Sequence, residues 1–234
     1  MSPEIWLWLT PSLVTLFLWG LGQGLVKKYV GDVSPARFCL FFICAKAVVN
    51  ISYFMLQDHP SPLAPEGRAF MITSIAAALL DGTGWILYFR SILLGPITIV
   101  GTLSAAYPAV TAVFARIFLG EILTEPQYLG VVLVIGGCIG LSYERAEDAT
   151  KQKNRAWILL AASALLLWGA SQTTMKYAYS LPAANDANLA LFGTMGGFAT
   201  LGMYGLLYGR RRRDADDGKL SLFKEWSHSF CPWG

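Results

Sequence analysis

The sequence predicts an all-α polytopic membrane protein of about seven transmembrane helices. These divide into one complete five-helix repeat and the first two helices of an inverted second one. Three observations carry this prediction. Only 14% of the 234 residues are charged and 55% are hydrophobic, whereas a soluble domain carries about 25% charged and roughly 45–50% apolar residues. The charges fall in short clusters between long apolar runs, so they cannot cover a water-facing surface. A motif from the first apolar run also recurs in the sixth. Together these exclude an ordinary cytosolic enzyme and a disordered or low-complexity chain.

A bilayer core of about 30 Å requires about 20 apolar residues in a helix, and successive stretches meet that length. The first, Ile5–Val26, has neither a basic leading region nor a small-residue cleavage site, so it reads as a true span rather than a signal peptide. Gly31-Asp32-Val33-Ser34-Pro35 separates it from the second, Ala36–Leu56. The cluster Pro60, Pro62 and Pro65 precedes the third, Ala69–Leu93, and Gly95-Pro96 opens the fourth, Ile97–Leu119. Tyr107-Pro108 breaks that fourth span near its middle, because proline has no N–H for the helix ladder and frees a carbonyl. Thr124 and Gln127, three residues apart, form a capping box at the head of the fifth span, Gln127–Tyr143. The sixth is Trp157–Met175. Leu181-Pro182 then leads to the seventh, Leu189–Tyr208.

Short basic loops stay in the cytoplasm. Loops after odd-numbered spans hold Lys27, Lys28, Arg37, Arg90, Arg145, Lys151, Lys153, Arg155 and the run Arg210 to Arg213, while the other side holds Arg68, Arg116 and Lys176. This count puts the N-terminus outside and the arginine run inside.

Other chemistries find little support. Cys39, Cys44, Cys138 and Cys231 form no CxxC pair and read as small apolar residues. His59 and His228 are far apart, so no histidine metal site is expected, and no cofactor. A net charge of +3 is too small and scattered for nucleic acid. The absence of a GxxxxGK[ST] motif speaks against ATP-driven transport. Gly20/Gly24, Gly136/Gly140 and Gly193/Gly197 are small-xxx-small pairs that favour close helix approach.

Leu18-Trp19-Gly20-x-x-Gln23-x-x-x-Lys27 recurs as Leu167-Trp168-Gly169-x-x-Gln172-x-x-x-Lys176, and Trp8 matches Trp157 at the same offset. A repeat that starts at span one and again at span six contains five helices. Five is odd, so the second copy enters the membrane from the opposite side. Such inverted repeats mark secondary transporters, with the binding site at the midplane between the halves. The expected units are residues 1–143 as the first copy, 144–156 as a charged linker, 157–208 as a partial second copy and 209–234 as a basic polar tail. About three helices of the second copy are missing, and the tail resembles nothing in the first.

Gly95-Pro96-Ile97-Thr98-Ile99-Val100 leads into Leu103-Ser104-Ala105-Ala106-Tyr107-Pro108 and then Leu119-Gly120-Glu121. Here, and in Trp19-Gly20, Trp168-Gly169, Gln127-x-x-Gly130 and Gly136-Gly137, the sequence resembles the EamA family of the drug/metabolite transporter superfamily. The resemblance covers about residues 10–208. It implies two inverted five-helix repeats that move small metabolites by alternating access, and a chain that starts inside, opposite to the loop count. The sequence departs from it by lacking the last three helices.

Lys46 and Asp81 lie near the middles of spans two and three. A charge at that depth costs about 2.5–3.5 kcal/mol, so each should face the bundle interior and find a partner. Asp81 reads as a proton or cation carrier and Lys46 as its counter-ion or an anion-binding group, against a purely structural pair. Asn50, one turn on, shares the face of Lys46. Trp19, Gln23 and Lys27 form one stripe of span one, and Trp168, Gln172 and Lys176 the matching stripe of span six. An aromatic wall, an amide and a cation suit a polar organic metabolite. Against that, Trp anchors and Lys snorkels at interfaces. Trp85 and Tyr88 offer further aromatic lining, Tyr107 marks the broken helix, and Glu121 sits at a helix end where a solvated charge is commonplace.

The expected function is secondary active transport, by import or efflux and with proton coupling, of a small-molecule substrate. The chain would be a multi-pass protein of the lipid bilayer, in the plasma membrane, with no enzymatic role; a homodimer is compatible with it. A truncated, non-transporting membrane fragment is the alternative. A seven-helix receptor fits helix count alone, since span seven has no lysine to hold retinal.

Overall fold

The computed structural model describes residues 3–29, 33–143 and 156–211. Helix α1 (Pro3–Tyr29) contains Pro11 without ending there. Ser34 opens α2 (Pro35–Leu56): its hydroxyl accepts from the Arg37 N–H, and Pro35 sits where a missing donor costs nothing. A single turn, Pro65–Gly67, leads into α3 (Arg68–Leu94), which stops at Gly95. The fourth span is two helices, α4 (Ile97–Ala105) and α5 (Tyr107–Phe118), broken at Ala106 just ahead of Pro108. Gly120, at φ 70°, takes the left-handed turn beyond α5 that glycine tolerates best.

Helix α6 (Glu125–Tyr143) begins with half of the expected capping box, the Gln127 side chain accepting from the Thr124 N–H at 2.8 Å. After α7 (Ala156–Tyr179), Asn185 caps α8 (Asp186–Gly197) by accepting from the N–H groups of Ala187 and Asn188. A π-helical turn, Phe198–Gly202, then joins α8 to α9 (Met203–Arg211). The seventh span therefore starts at Asp186 and carries an irregular turn at mid-length that its apolar composition did not announce.

Among the described residues, five helical stretches are long and apolar enough to cross a membrane: Pro35–Leu56, Pro65–Leu94, Ile99–Phe118, Ala156–Tyr179 and Asp186–Gly209. Helix α1 adds the apolar run Leu9–Gly22, and α6 has 19 residues. Outward-facing Phe17, Val48, Val49, Leu133, Leu159 and Leu207 are all exposed, which suits lipid and not water. Most of the expected linker and tail lies outside the described residues, with Arg145, Lys151, Lys153, Arg155, Arg212, Arg213, His228 and Cys231.

Helix α3 is the axis of the bundle. It packs along α7 on one side and α8 on the other; α7 also lies against α4 and α5, and α2 rests on α8 and α9. The main core joins Ile43 from α2, Trp85 and Phe89 from α3, Val100 from α4, Trp157 and Trp168 from α7, and Leu201. A second cluster of Phe70, Ala178 and Phe192 ties α3, α7 and α8 together nearer one end. Among the described residues close helix approach is made mostly by glycines other than those expected, and the surroundings of Gly24 fall outside what the structure describes. An added Cβ would come within 2.5 Å of Ala78 at Gly196, 2.8 Å of Trp168 at Gly84 and 2.5 Å of Val110 at Gly169. Gly197 does seat against Ile43, but Gly20, Gly136, Gly140 and Gly193 meet nothing within 4 Å. A small-xxx-small spacing marks one face of a helix and says nothing of whether a neighbour covers it.

Candidate functional site

Lys46 sits at mid-length on α2 and Asp81 at mid-length on α3, and the Lys46 ammonium stands 3.3 Å from the Asp81 carboxylate. Their side chains remain 35% and 20% exposed, so the pair borders open space and is not sealed in the core. One turn along α2, the Asn50 amide donates to the Ala190 carbonyl at 3.2 Å and the Thr194 hydroxyl at 3.1 Å on α8. Lys46 and Asn50, sharing one edge of α2 through the helical period, thus reach two different helices.

Behind Asp81 stands a block of aromatic rings. The Trp168 indole N–H donates to the Asp81 backbone carbonyl at 3.3 Å. Its ring centroid lies 5.0 Å from Trp85, 5.3 Å from Tyr88 and 6.0 Å from Tyr107. These separations suit edge-to-face and tilted packing of ring quadrupoles. Phe42 of α2 extends the block to Trp85 at 4.9 Å. Gly84 makes room for Trp168 because a side chain there would collide with the indole. Trp168 and Trp85 are 8% and 7% exposed, which places both rings in the core.

The stripe of α7 does not act as one surface. Trp168 is buried, Gln172 is half-buried one turn on, and Lys176 is exposed near the helix end. Eight residues of helix span about 12 Å. Lys176 instead pairs with Glu121, which follows α5, while Arg116 donates to the Glu121 carbonyl at 3.1 Å. Trp19, Gln23 and Lys27 lie on α1, and their side chains fall outside what the structure describes.

Sequence reasoning did not join Glu121 to Lys176. A signal was present: each is an isolated charge beside an apolar helix, of opposite sign, on loops assigned to the same side. It also missed two buried hydroxyl bonds that fasten α7 to α3. Ser171 donates to the Ala77 carbonyl and Ser91 to the Trp157 carbonyl, both at 2.8 Å. Among the described residues no three His, Cys, Asp or Glu side chains gather where they could hold a metal ion.

The arrangement is that of a multi-pass membrane protein with charge at mid-depth, and comparison with known proteins defines its class. The EamA-like transporter family matches residues 6–143, more than half of the chain, and the chain belongs to that family. Its members are membrane transporters and not enzymes, so the protein is integral to the lipid bilayer. A Methanocaldococcus jannaschii protein of uncharacterized function is 41% identical over 69 residues, covering 30% of this chain and 50% of its own length. An uncharacterized transporter in the cobO 3′ region of a Sinorhizobium species is 32% identical over 117 residues, covering 50% of this chain and 80% of its own. The chain thus spans about half the length of the first of these relatives. No solved structure matches it significantly.

Proposed function

We propose that the protein is a secondary active transporter that moves a small organic metabolite across the plasma membrane by alternating access, coupled to protons through Asp81. Residues 1–143 form one five-helix repeat, and residues 157–208 begin an inverted second one. The single observation that carries the reading is the Lys46–Asp81 pair at mid-helix depth. Uncharged, well-packed residues would hold α2 to α3 without the desolvation cost of two charges. Charges kept at that depth are suited to meeting or moving something charged. The partial exposure of both side chains leaves them reachable. The Asn50 carbonyl oxygen and the rings of Trp85, Tyr107 and Trp168 would supply amide and aromatic contacts to a polar organic solute, with Gln172 further along α7 and Lys176 available once it leaves Glu121. The matching α1 stripe, Trp19, Gln23 and Lys27, would line the same path.

The test is flux in proteoliposomes, with a panel of labelled polar metabolites and an imposed pH gradient. The gradient should accelerate flux of at least one substrate, and Asp81→Asn should remove that acceleration. Gradient-driven flux that persists in Asp81→Asn would take Asp81 out of the mechanism. Absence of flux for every solute in the panel would count against the transport reading itself.

A further inference from the structure

Helices α7 and α8 are each packed tightly against α3. Phe70, Ala178 and Phe192 cluster at one end, Gly196 seats on Ala78 in the middle, and Trp157 covers Gly95 at the other end. Helix α5 is attached to this block quite differently along its length. At its start, beside the break at Ala106, Val110 is pressed into Gly169 and Tyr107 packs on Trp168. Further along, the Thr173 hydroxyl of α7 donates to the Thr111 carbonyl at 3.5 Å and Ala115 is buried, and beyond them the last attachment is the Glu121–Lys176 ion pair, with side chains 34% and 52% exposed. Water can replace an exposed ion pair at little net cost, whereas parting an interlocked glycine contact forfeits dispersion on both sides.

We propose that α5 is a gating arm. It is hinged at Ala106, where Pro108 removes a rung of the helix ladder, and latched at its tip by Glu121 and Lys176. Twelve residues of helix make a lever of about 18 Å, so a small rotation at Ala106 moves the latch end by several times the displacement at Val110. Release of the latch parts α5 from α7 at that end and admits water along α7 toward Gln172. Tyr107 stands at the hinge, and its ring contact Trp168 is bonded to the Asp81 carbonyl, so arm and ion pair share a physical link. The purpose of the arm rests on the transport reading, but its existence can be tested without any substrate.

The experiment uses the full chain in native membranes, with its own cysteines replaced and a water-soluble maleimide as probe. One reporter is Ala115→Cys, on α5 just before the latch, where Ala115 is 4% exposed; the control is Ser91→Cys at the opposite end, where Ser91 is fully buried. Lys176→Gln or Glu121→Gln should raise labelling of the reporter about two- to fivefold, the factor that an exposed ion pair contributes. The control should stay unlabelled, and the charge swap Glu121→Lys with Lys176→Glu should restore the slow rate. An unchanged reporter rate would overturn the proposal. So would labelling of reporter and control in step, because the pair would then hold the whole bundle and not one arm. If the reporter behaves as expected while no solute is moved, it is the transport reading that fails and the arm that stands.

Discussion

Replacing Gly196 by alanine adds one methyl group where α8 crosses α3. The new Cβ would lie 2.5 Å from the Ala78 Cβ, 3.1 Å from the Ile75 carbonyl oxygen and 3.2 Å from the Ala78 carbonyl carbon. Favourable carbon contacts begin near 3.5 Å, so the helices must part by roughly 1 Å. None of these atoms can rotate away, since all belong to backbone or are bonded directly to it. Overpacking of this kind costs about 1–3 kcal/mol. Alanine also gains about 1 kcal/mol of helix propensity over glycine, and a reference substitution is needed to remove that gain. Gly193, less than one turn earlier on the same helix, meets nothing within 4 Å. Gly193→Ala therefore has the propensity gain without the clash. The difference between the two variants isolates the steric term, about 1–3 kcal/mol, or roughly 2–12 °C in Tm at 2–4 °C per kcal/mol. Thermal unfolding in detergent, followed by tryptophan fluorescence, reads that gap directly. Equal Tm values, or Gly193→Ala the less stable of the two, would refute the idea that Gly196 is required by the α3 crossing.

Removing one member of the Lys46–Asp81 pair should destabilise more than removing both. Lys46→Met and Asp81→Leu should each lower Tm, and the double variant should recover part of the loss, because a lone charge at this depth keeps its desolvation penalty; additive losses would contradict this. Asn185→Ala should cost about 1 kcal/mol through loss of the α8 cap, read as a lower Tm with the Lys46–Asp81 region otherwise intact; an unchanged Tm would show that the first turn of α8 is held by packing alone. Trp168→Ala should cost about 3–5 kcal/mol, as expected for a large buried ring. Trp168→Phe should cost less, because it keeps much of the packing even though it loses the bond to the Asp81 backbone carbonyl. Equal losses for the two would shift the main role of Trp168 from ring to hydrogen bond.

Much of this fold is written locally. The crossing helices are announced by the length of their apolar runs, and their ends by Ser34-Pro35, Gly95, Thr124 with Gln127, and Gly120, each acting within one turn. The break in the fourth span follows from the chemistry of Pro108 alone, and the family from motifs concentrated around it. The candidate site was legible only in part. Lys46 and Asp81 stood out because a charge in a span has to be matched, and the depth of each follows from its position in its run. The burial of Trp168 was not legible, because the same residue in an apolar run serves as an interface anchor or a core ring.

What the sequence by itself determined is which segments are apolar enough to enter the bilayer, where most of them start and stop, the break at Pro108, and that charges inside them need partners. Those properties depend on solvation and backbone chemistry over a few neighbouring residues. What only the tertiary structure decided is how each helix is turned and what it meets: Gly196 on Ala78 while Gly193 stays open, Lys176 on Glu121 and not beside Trp168, Asn50 on α8 and not on α3. Lipid tails are as apolar as a protein core, so α1, α2, α3, α6, α7 and α8 are apolar all round and no hydrophobic stripe records their rotation. The orientation is settled by small residues and isolated polar groups whose partners lie up to 144 positions away in the chain, and those matches exist only once the helices are side by side.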